Sequence, residues 1–310
     1  MTSVFRSKQF VFVIGDETKT EYTVHRDLIA KQSKALNALV NGEMQETLDG
    51  RATFEDLDDN TFVRFCQFAY TGDYTTPGFI SGPNVVVPPS VAPSLHNSSS
   101  DRESNDKIHE EVVDPPPLME EIPLDWGFKP AKPKKQPKGR LLRQSFDDKY
   151  YDIEKQSKSR LLRQSFDDKD YDIETAVRIR SARCEVRPNS SVVEDYTPVL
   201  LGHARLYIFG EKWGIENLKV LALHKLHKTL TKFTLFESRR RDIVELLRCV
   251  YSNENTPDRG EVVDELRSLV MLYVCCEAES LTQCSEFMAL LGEGGELAED
   301  FVQILMKRIK

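Results

Sequence analysis

The chain reads "DDNTFVRFCQFAYTGDY" from Asp58 to Tyr74. Apolar side chains in this stretch recur at the spacing i, i+3, i+4, i+7, which is typical of one face of an α-helix. They are Phe62, Phe65, Cys66 and Ala69. Gly72 suits the left-handed conformation in which many helices end. The stretch therefore predicts a helix, opened by Asp59, whose apolar face packs against another part of the protein.

The residues before this helix predict a small sheet with short helices around it. The apolar run "QFVFVIG" at 9–15 and the segment "EYTVH" at 21–25 are joined by a polar loop, which is typical of a β-hairpin. The sequence "RDLIAKQSKALNALVNG" that follows indicates one or two short helices, with Ser33 as an N-cap and Gly42 as the stop. The next apolar segment, "RATFEDL", predicts one more short strand.

A second group of helices lies far along the chain. The sequence "HARLYIFGEKWGIENLKVLALHKLHKTL" at 203–230 predicts a helix, a turn and a helix, with Gly210 and Gly214 on either side of the turn. Three further amphipathic helices follow it. Their apolar stripes are Ile243, Leu246, Leu247 and Val250; then Val262, Leu266, Leu269, Val270 and Tyr273; then Leu297, Phe301, Ile304 and Leu305.

Proline separates these two groups of elements. Fourteen of the 15 prolines lie between Pro77 and Pro198. Proline lacks an amide donor and fixes φ, so this density disfavours long helices and central strands. The region also contains polar segments such as "HNSSSDRESND", which bury too little apolar surface to offset the entropy of ordering. We therefore predict that residues 77–197 form a mostly disordered insert.

Composition and charge exclude several classes of protein. The net charge is −8, and no third of the chain is basic, so binding to nucleic acid is not expected. No apolar run approaches the roughly 18 residues of a membrane span, and no secretory signal is evident at the N-terminus. The six cysteines form no CxxC pair, which favours a reducing compartment. We expect a cytoplasmic or nuclear protein that is neither secreted nor bound to a membrane.

Candidate catalytic and metal-binding residues are few. His25 has no readable nucleophile near it, so we expect a structural role. His224 and His227 have a spacing that metal sites use, but lysines surround them and disfavour a cation. The "GEGGE" sequence at 292–296 is acidic and is better interpreted as a turn between helices than as a phosphate loop. We predict no enzyme activity, no metal and no cofactor.

The two groups of elements together resemble a BTB/POZ domain. In the first group the resemblance rests on the terminal "YTGDY" and on His25, Leu28, Ser33, Leu36, Glu46, Leu57, Phe62 and Phe65. In the second group it rests on Ala204, Tyr207, Trp213, Ile215 and Leu218. It implies an α/β (α+β) fold with a small sheet surrounded by helices. The domain would be formed by residues 8–76 and 198–233, and residues 234–310 would be a C-terminal helical region.

The arrangement is similar to that of fungal BTB proteins in which a long linker with a "WGF" sequence and a basic stretch interrupts the domain. The resemblance implies a non-enzymatic, self-associating adaptor that acts through protein–protein interaction and forms a homodimer. It also implies a link to a cullin scaffold, with the protein presenting substrates to a ubiquitin ligase. The alternative is a nuclear regulatory, transcription-associated protein that acts through the basic insert.

Two parts of the insert are candidate interaction sites. Trp126 and Phe128 are large aromatic residues in a polar stretch, and they could dock on the folded core or on a partner. The stretch "KPKKQPKGR" is a candidate nuclear import signal or a solvated linker. Its basic side chains include Lys132, Lys134, Lys135 and Lys138.

The insert also contains a tandem repeat, "RLLRQSFDDKYYDIE" at 140–154 and "RLLRQSFDDKDYDIE" at 160–174, with fourteen of 15 positions identical. As a helix, the first copy would present a candidate interaction stripe of Leu142, Phe146, Tyr150 and Ile153. The mismatch at Asp170 places a charge on that stripe in the second copy. Ser145 and Ser165 are candidate phosphorylation sites. The repeat is either a tolerated duplication or a pair of sites for one multivalent partner.

Overall fold

A three-stranded sheet is formed by the N-terminal residues. Strands β1 (Gln9–Ile14) and β2 (Thr20–His25) pair antiparallel as the predicted hairpin, and β3 (Arg51–Phe54) lies parallel to β1 on its other side. The strand order is β2-β1-β3. A parallel pair requires a crossover connection. Three short helices supply it: α1 (Arg26–Ala30), α2 (Lys34–Asn41) and α3 (Gln45–Asp49).

The computed structural model describes residues 6–17, 19–43, 45–81, 158–171, 186–252 and 264–309. All of them belong to one unit of the chain, made of residues 1–85 and 150–310. The fold is mixed α+β, with helices predominating over small sheets. Among the described residues, no helix combines the length and the apolar character that a membrane crossing requires.

The predicted helix caps in the first group are present. The Ser33 hydroxyl accepts a hydrogen bond from the Leu36 amide at 3.1 Å, and α2 ends at Gly42. Helix α4 (Asp59–Thr71) begins at Asp59 and is ended by Gly72 with a φ of 75°, both as predicted, whereas its cap by the Asp58 carboxylate was not predicted. These caps satisfy backbone groups that a helix end leaves without partners. In α4 the buried face contains Phe62, Phe65, Phe68 and Ala69, whereas Cys66 is only half-buried.

The chain leaves the core and returns to it at neighbouring points. Strand β4 (Ile80–Ser81) pairs antiparallel with β5 (Glu194–Asp195). Beside this pair, the rings of Phe79 and Tyr196 stack with centroids 5.5 Å apart. Long insertions between such closely spaced ends add little loop-closure entropy, which explains how the fold accommodates the insert.

Residues 158–171 of the insert are ordered, which corrects the prediction of disorder for this segment. Residues 158–167 are helical and form α5, within the second copy of the repeat. Phe166 is fully buried and Tyr171 is 7% exposed. Burial of these two aromatic rings against the core offsets the entropy of ordering the segment. Residues 82–157 and 172–185 lie outside the described residues.

Helices α6 (Thr197–Trp213) and α7 (Glu216–Lys232) form the predicted helical hairpin. Gly214 makes the turn with a φ of 64°. Gly210 does not border the turn as predicted but lies inside α6. A Cβ there would come within 2.9 Å of the Lys219 Cγ atom and 3.3 Å of the Lys219 backbone nitrogen. Glycine at this position therefore permits close contact between the two helices.

The C-terminal region is helical. Its elements are a 3₁₀ turn (Glu237–Arg239), α8 (Arg240–Val250), α9 (Glu265–Cys276), α10 (Ala278–Leu281), α11 (Ser285–Gly292) and α12 (Gly295–Ile309). The predicted stripes of α8 and α9 are buried, except that Val262 lies outside the described residues. The "GEGGE" sequence forms the turn before α12, with positive φ at Gly294 and Gly295. The short helices α10 and α11 were not predicted. α10 has only 4 residues, which is too short for a helical period, and α11 follows Cys284, which makes no side-chain capping hydrogen bond.

One hydrophobic core contains residues from both groups of elements. The Phe65 ring lies 4.8 Å from that of Phe209, between α4 and α6. Phe54, at the end of β3, stacks on Trp213 with centroids 5.0 Å apart. Aromatic pairs of this geometry stabilise a core beyond the area that they bury. The helix that ends in "YTGDY" therefore packs against a hairpin more than 120 residues further along the chain.

Candidate interaction groove

Most of the sequence-predicted site residues fall outside the described part of the chain. These are Trp126, Phe128, Leu142, Phe146, Tyr150, Ile153, Ser145, Lys132, Lys134, Lys135 and Lys138. Ser165 is described and lies exposed on α5. Its hydroxyl is therefore open to a kinase, and its phosphorylation stays a prediction.

The histidines singled out in the sequence make local contacts. His25 Nδ1 lies 2.7 Å from the Tyr70 hydroxyl, which joins β2 to α4. His227 Nε2 lies 2.7 Å from the backbone oxygen of Phe166. Burial lowers the pKa of His227, which favours the neutral ring. Because a carbonyl oxygen only accepts, Nε2 donates this hydrogen bond. Within the described residues, no three His, Cys, Asp or Glu side chains are grouped closely enough to hold a metal ion.

A buried polar cluster joins the "YTGDY" segment to the helical hairpin. Lys225 Nζ lies 2.5 Å from Asp73 Oδ1 and donates a hydrogen bond of the same length to the Tyr74 carbonyl. The Tyr74 hydroxyl lies 2.8 Å from His203 Nδ1. Tyr74, His203 and Lys225 are each less than 5% exposed.

Burial dominates the protonation of this cluster. It raises the pKa of Tyr74 well above its usual range, and together with the Lys225 and Arg64 charges it lowers the pKa of His203 to about 3. Both side chains are therefore neutral at physiological pH, and the fixed charges are those of Asp73 and Lys225. Because Tyr74, His203 and Lys225 are buried, the contribution of the cluster is to hold the two groups of elements together.

An open groove of about 1050 Å³ lies outside this cluster. Its walls are the end of β3 with the loop after it (52–58), α6 from Leu201 to Trp213, and α8. We call it the β3–α6–α8 groove. The aromatic side chains that line it are Phe54, Phe209 and Trp213, and Leu57, Leu201 and Ile208 add apolar surface. Of the three rings, Phe54 and Trp213 are only half-buried, so the groove presents aromatic surface to solvent.

Charged side chains of both signs surround this aromatic floor. The acidic ones are Glu46, Glu55, Asp56, Asp58 and Glu245, and the basic ones are Arg205, Lys212 and Arg248. Arg205 lies 3.6 Å from Asp58 and Lys212 lies 3.9 Å from Asp56. Exposed pairs of this kind contribute little to stability, so these charges are available to a partner. An apolar centre with a polar rim is the usual composition of a protein–protein interface.

The sheet places an edge strand at this groove. Among the strands of the described residues, β3 is the last in the order β2-β1-β3, and its residues Ala52, Thr53 and Phe54 line the groove. Edge strands offer backbone donors and acceptors to which another extended segment can be added. The groove therefore combines three features that peptide-binding surfaces use: aromatic anchors, a charged rim and a strand edge.

Sequence reasoning did not identify this groove. Trp213 was singled out only through the family resemblance, and Phe54 was placed in a strand without a role. The one available signal was a tryptophan beside a glycine turn, and such a pattern does not distinguish a core residue from a surface one. No family model matches this chain, and no curated protein matches it either.

Proposed function

We propose that this chain is a non-enzymatic protein–protein interaction module with a BTB/POZ-like architecture. Three observations support this architecture: the β2-β1-β3 order, the helical crossover between β1 and β3, and the packing of the "YTGDY" helix end on the α6–α7 hairpin. The observation that carries the interaction role is the β3–α6–α8 groove, with half-buried aromatic rings inside a rim of mixed charge.

The chain acts, in this proposal, as a self-associating adaptor. Self-association and the link to a cullin scaffold rest on the family resemblance, which is an argument by analogy. The groove supports an adaptor role in its own right, because its rim charges can select a partner while its aromatic floor supplies affinity.

Charge reversal in the rim tests the proposal. Arg205 and Lys212 have side chains 49% and 64% exposed, so Arg205→Glu with Lys212→Glu changes the rim without removing core contacts. The matched control is Lys31→Glu with Lys34→Glu, since both lysines are exposed and neither lines the groove. We expect the double variant, and not the control, to lose at least about tenfold in affinity for a co-purified cullin scaffold.

Light scattering tests the self-association part separately. The full chain is expected to have the mass of two copies at micromolar concentration. Its comparison should be a chain that lacks 88–155, since deletion of residues up to 175 would also remove the buried Phe166 and Tyr171. A monomer at every concentration, together with equal cullin recovery by the rim variant and the control, would refute the proposal.

The alternative function is a nuclear regulatory one, favoured by the basic stretch at 132–140. It makes a distinct prediction about distribution in the cell. Lys134→Ala with Lys135→Ala should reduce the nuclear fraction of the full chain while the affinity for a groove partner is unchanged. An unchanged nuclear fraction would remove the support for this alternative.

A further inference from the structure

The second copy of the repeat is seated on the folded core. Phe166 of α5 is fully buried, with its ring 4.9 Å from that of His227 on α7 and 5.6 Å from that of Tyr273 on α9. Tyr171 is 7% exposed, and its ring lies 5.9 Å from that of His227. We call the surface formed by His227, Tyr273 and Glu277 the repeat-docking cleft.

Polar contacts fix the position of the segment in this cleft. His227 Nε2 donates to the Phe166 carbonyl at 2.7 Å, and Arg163 Nη1 lies 2.8 Å from Glu277 Oε1. The guanidinium of Arg163 also lies over the Phe166 ring, 5.5 Å from its centroid. The residues that the cleft holds follow the pattern R-x-x-F-x-x-x-x-Y, which is Arg163, Phe166 and Tyr171.

The first copy of the repeat contains the same pattern. Arg143, Phe146 and Tyr151 occupy the equivalent positions twenty residues earlier, and Leu142 matches Leu162, which packs partly buried against the core. The identity of these residues means that the first copy has the groups needed to make the same contacts.

The single mismatch between the copies lies at the rim of the cleft. Asp170 is exposed, follows the helical residues 158–167 and lines the same small pocket as His227. Leu162 and Phe166 of the predicted stripe pack against the core, so the stripe is the docking face only within the helix. The Asp170 carboxylate accepts a hydrogen bond from the Tyr171 amide at 2.9 Å. Tyr150, its counterpart in the first copy, cannot accept in this way, which favours occupancy by the second copy.

We propose that the repeat-docking cleft is a peptide-binding site for the repeat, and that the first copy, residues 140–151, exchanges with the second copy of the same chain. When the first copy occupies the cleft, the connection before the docked copy is twenty residues shorter. The connection after it is twenty residues longer. Loop-closure entropy changes only logarithmically with length, so both arrangements are accessible. The chain thus contains two ligands for one cleft. The segment between the copies precedes the docked copy in one arrangement and follows it in the other.

A cycle of substitutions tests the exchange in the full chain. Phe146→Ala should leave the urea midpoint of unfolding unchanged. Phe166→Ala should lower it by less than half of the drop seen in Phe146→Ala/Phe166→Ala, because the first copy replaces the second in the single variant. If Phe166→Ala alone lowers the midpoint as far as the double variant does, the proposal is overturned.

Peptide binding provides a second measurement on the double variant, in which both repeat copies have lost the phenylalanine that would occupy the cleft. Labelled peptides of residues 138–151 and 158–171 should both bind, the first up to about tenfold more weakly, as expected for one fewer hydrogen bond. Versions with Phe146→Ala or Phe166→Ala should not bind. Failure of the 138–151 peptide to bind would overturn the proposal whatever the stability data show.

Light scattering distinguishes exchange within one chain from docking between chains. The mass of Phe166→Ala should equal that of the unsubstituted chain at every concentration. If the rescue in Phe166→Ala depends on concentration and its mass rises relative to the unsubstituted chain, the first copy occupies the cleft of another molecule. That result would overturn exchange within the chain.

Discussion

Removal of the Asp73 carboxylate should destabilise the fold out of proportion to the size of the change. Lys225 is 4% exposed, and its ammonium group is held by Asp73 Oδ1 and by the Tyr74 carbonyl, each 2.5 Å away. It also lies over the Tyr74 ring, 4.2 Å from the centroid. Asp73→Ala leaves this ammonium buried without its counter-charge.

The magnitude follows from the burial of the two partners. Breaking a buried ion pair by removing one partner costs about 3–5 kcal/mol. Because Lys225 retains the Tyr74 carbonyl and ring, we expect the low end, about 3 kcal/mol. Lys225→Met should be less costly, since Asp73 is 14% exposed and water can reach its carboxylate. Addition of Lys225→Met to Asp73→Ala should restore part of the lost stability, because the uncompensated charge is gone.

Urea unfolding measures these differences. With a slope of about 3 kcal/mol per molar urea, a loss of about 3 kcal/mol lowers the midpoint by about 1 M. The matched control is Glu21→Ala, which breaks the pair between Arg51 and Glu21, whose side chains are 53% and 60% exposed. An exposed pair of this kind contributes below about 1 kcal/mol.

Two results would contradict this reasoning. One is a midpoint for Asp73→Ala that cannot be distinguished from that of Glu21→Ala. The other is a double variant, Asp73→Ala/Lys225→Met, that is less stable than Asp73→Ala alone. Either would mean that Lys225 is well solvated without Asp73, and that the "YTGDY" segment is not held to α7 by charge.

Three further predictions concern other parts of the fold. Burial lowers the pKa of His203 to about 3 from 6.5, so below pH 6.5 the unfolded chain binds more protons. Stability should therefore fall as the pH falls from about 6.5 towards about 3, and His203→Gln should flatten this part of a stability–pH profile measured by urea unfolding. Gly210→Ala should cost about 1–3 kcal/mol through its contact with Lys219, whereas Gly292→Ala, where a Cβ meets no atom within 4 Å, should leave the thermal midpoint almost unchanged. Ser33→Ala should cost about 1 kcal/mol in urea unfolding through loss of the α2 cap, and a loss near zero would show that the cap does not stabilise the fold.

The candidate site was less accessible to sequence reasoning than the elements that build it. The β3–α6–α8 groove exists because α8 and the loop after β3 lie some distance from α6. That distance cannot be predicted from the residue pattern within any one element. The same holds for Phe166. Its segment is polar enough to be interpreted as linker, and only the surface formed by α7 and α9 makes its burial favourable.

The sequence by itself determined the elements whose signals are local. Ser33 caps α2, Gly72 ends α4 and the apolar spacing of α8 defines its buried face, because each depends on residues within a few positions of one another. The tertiary structure decided the rest. The Asp73–Lys225 pair, the Phe54–Trp213 stack and the docking of the second repeat copy join residues 61 to 159 positions apart. Such contacts form only when complete helices and strands pack against each other. The residue pattern within one element does not show which other surface it will meet.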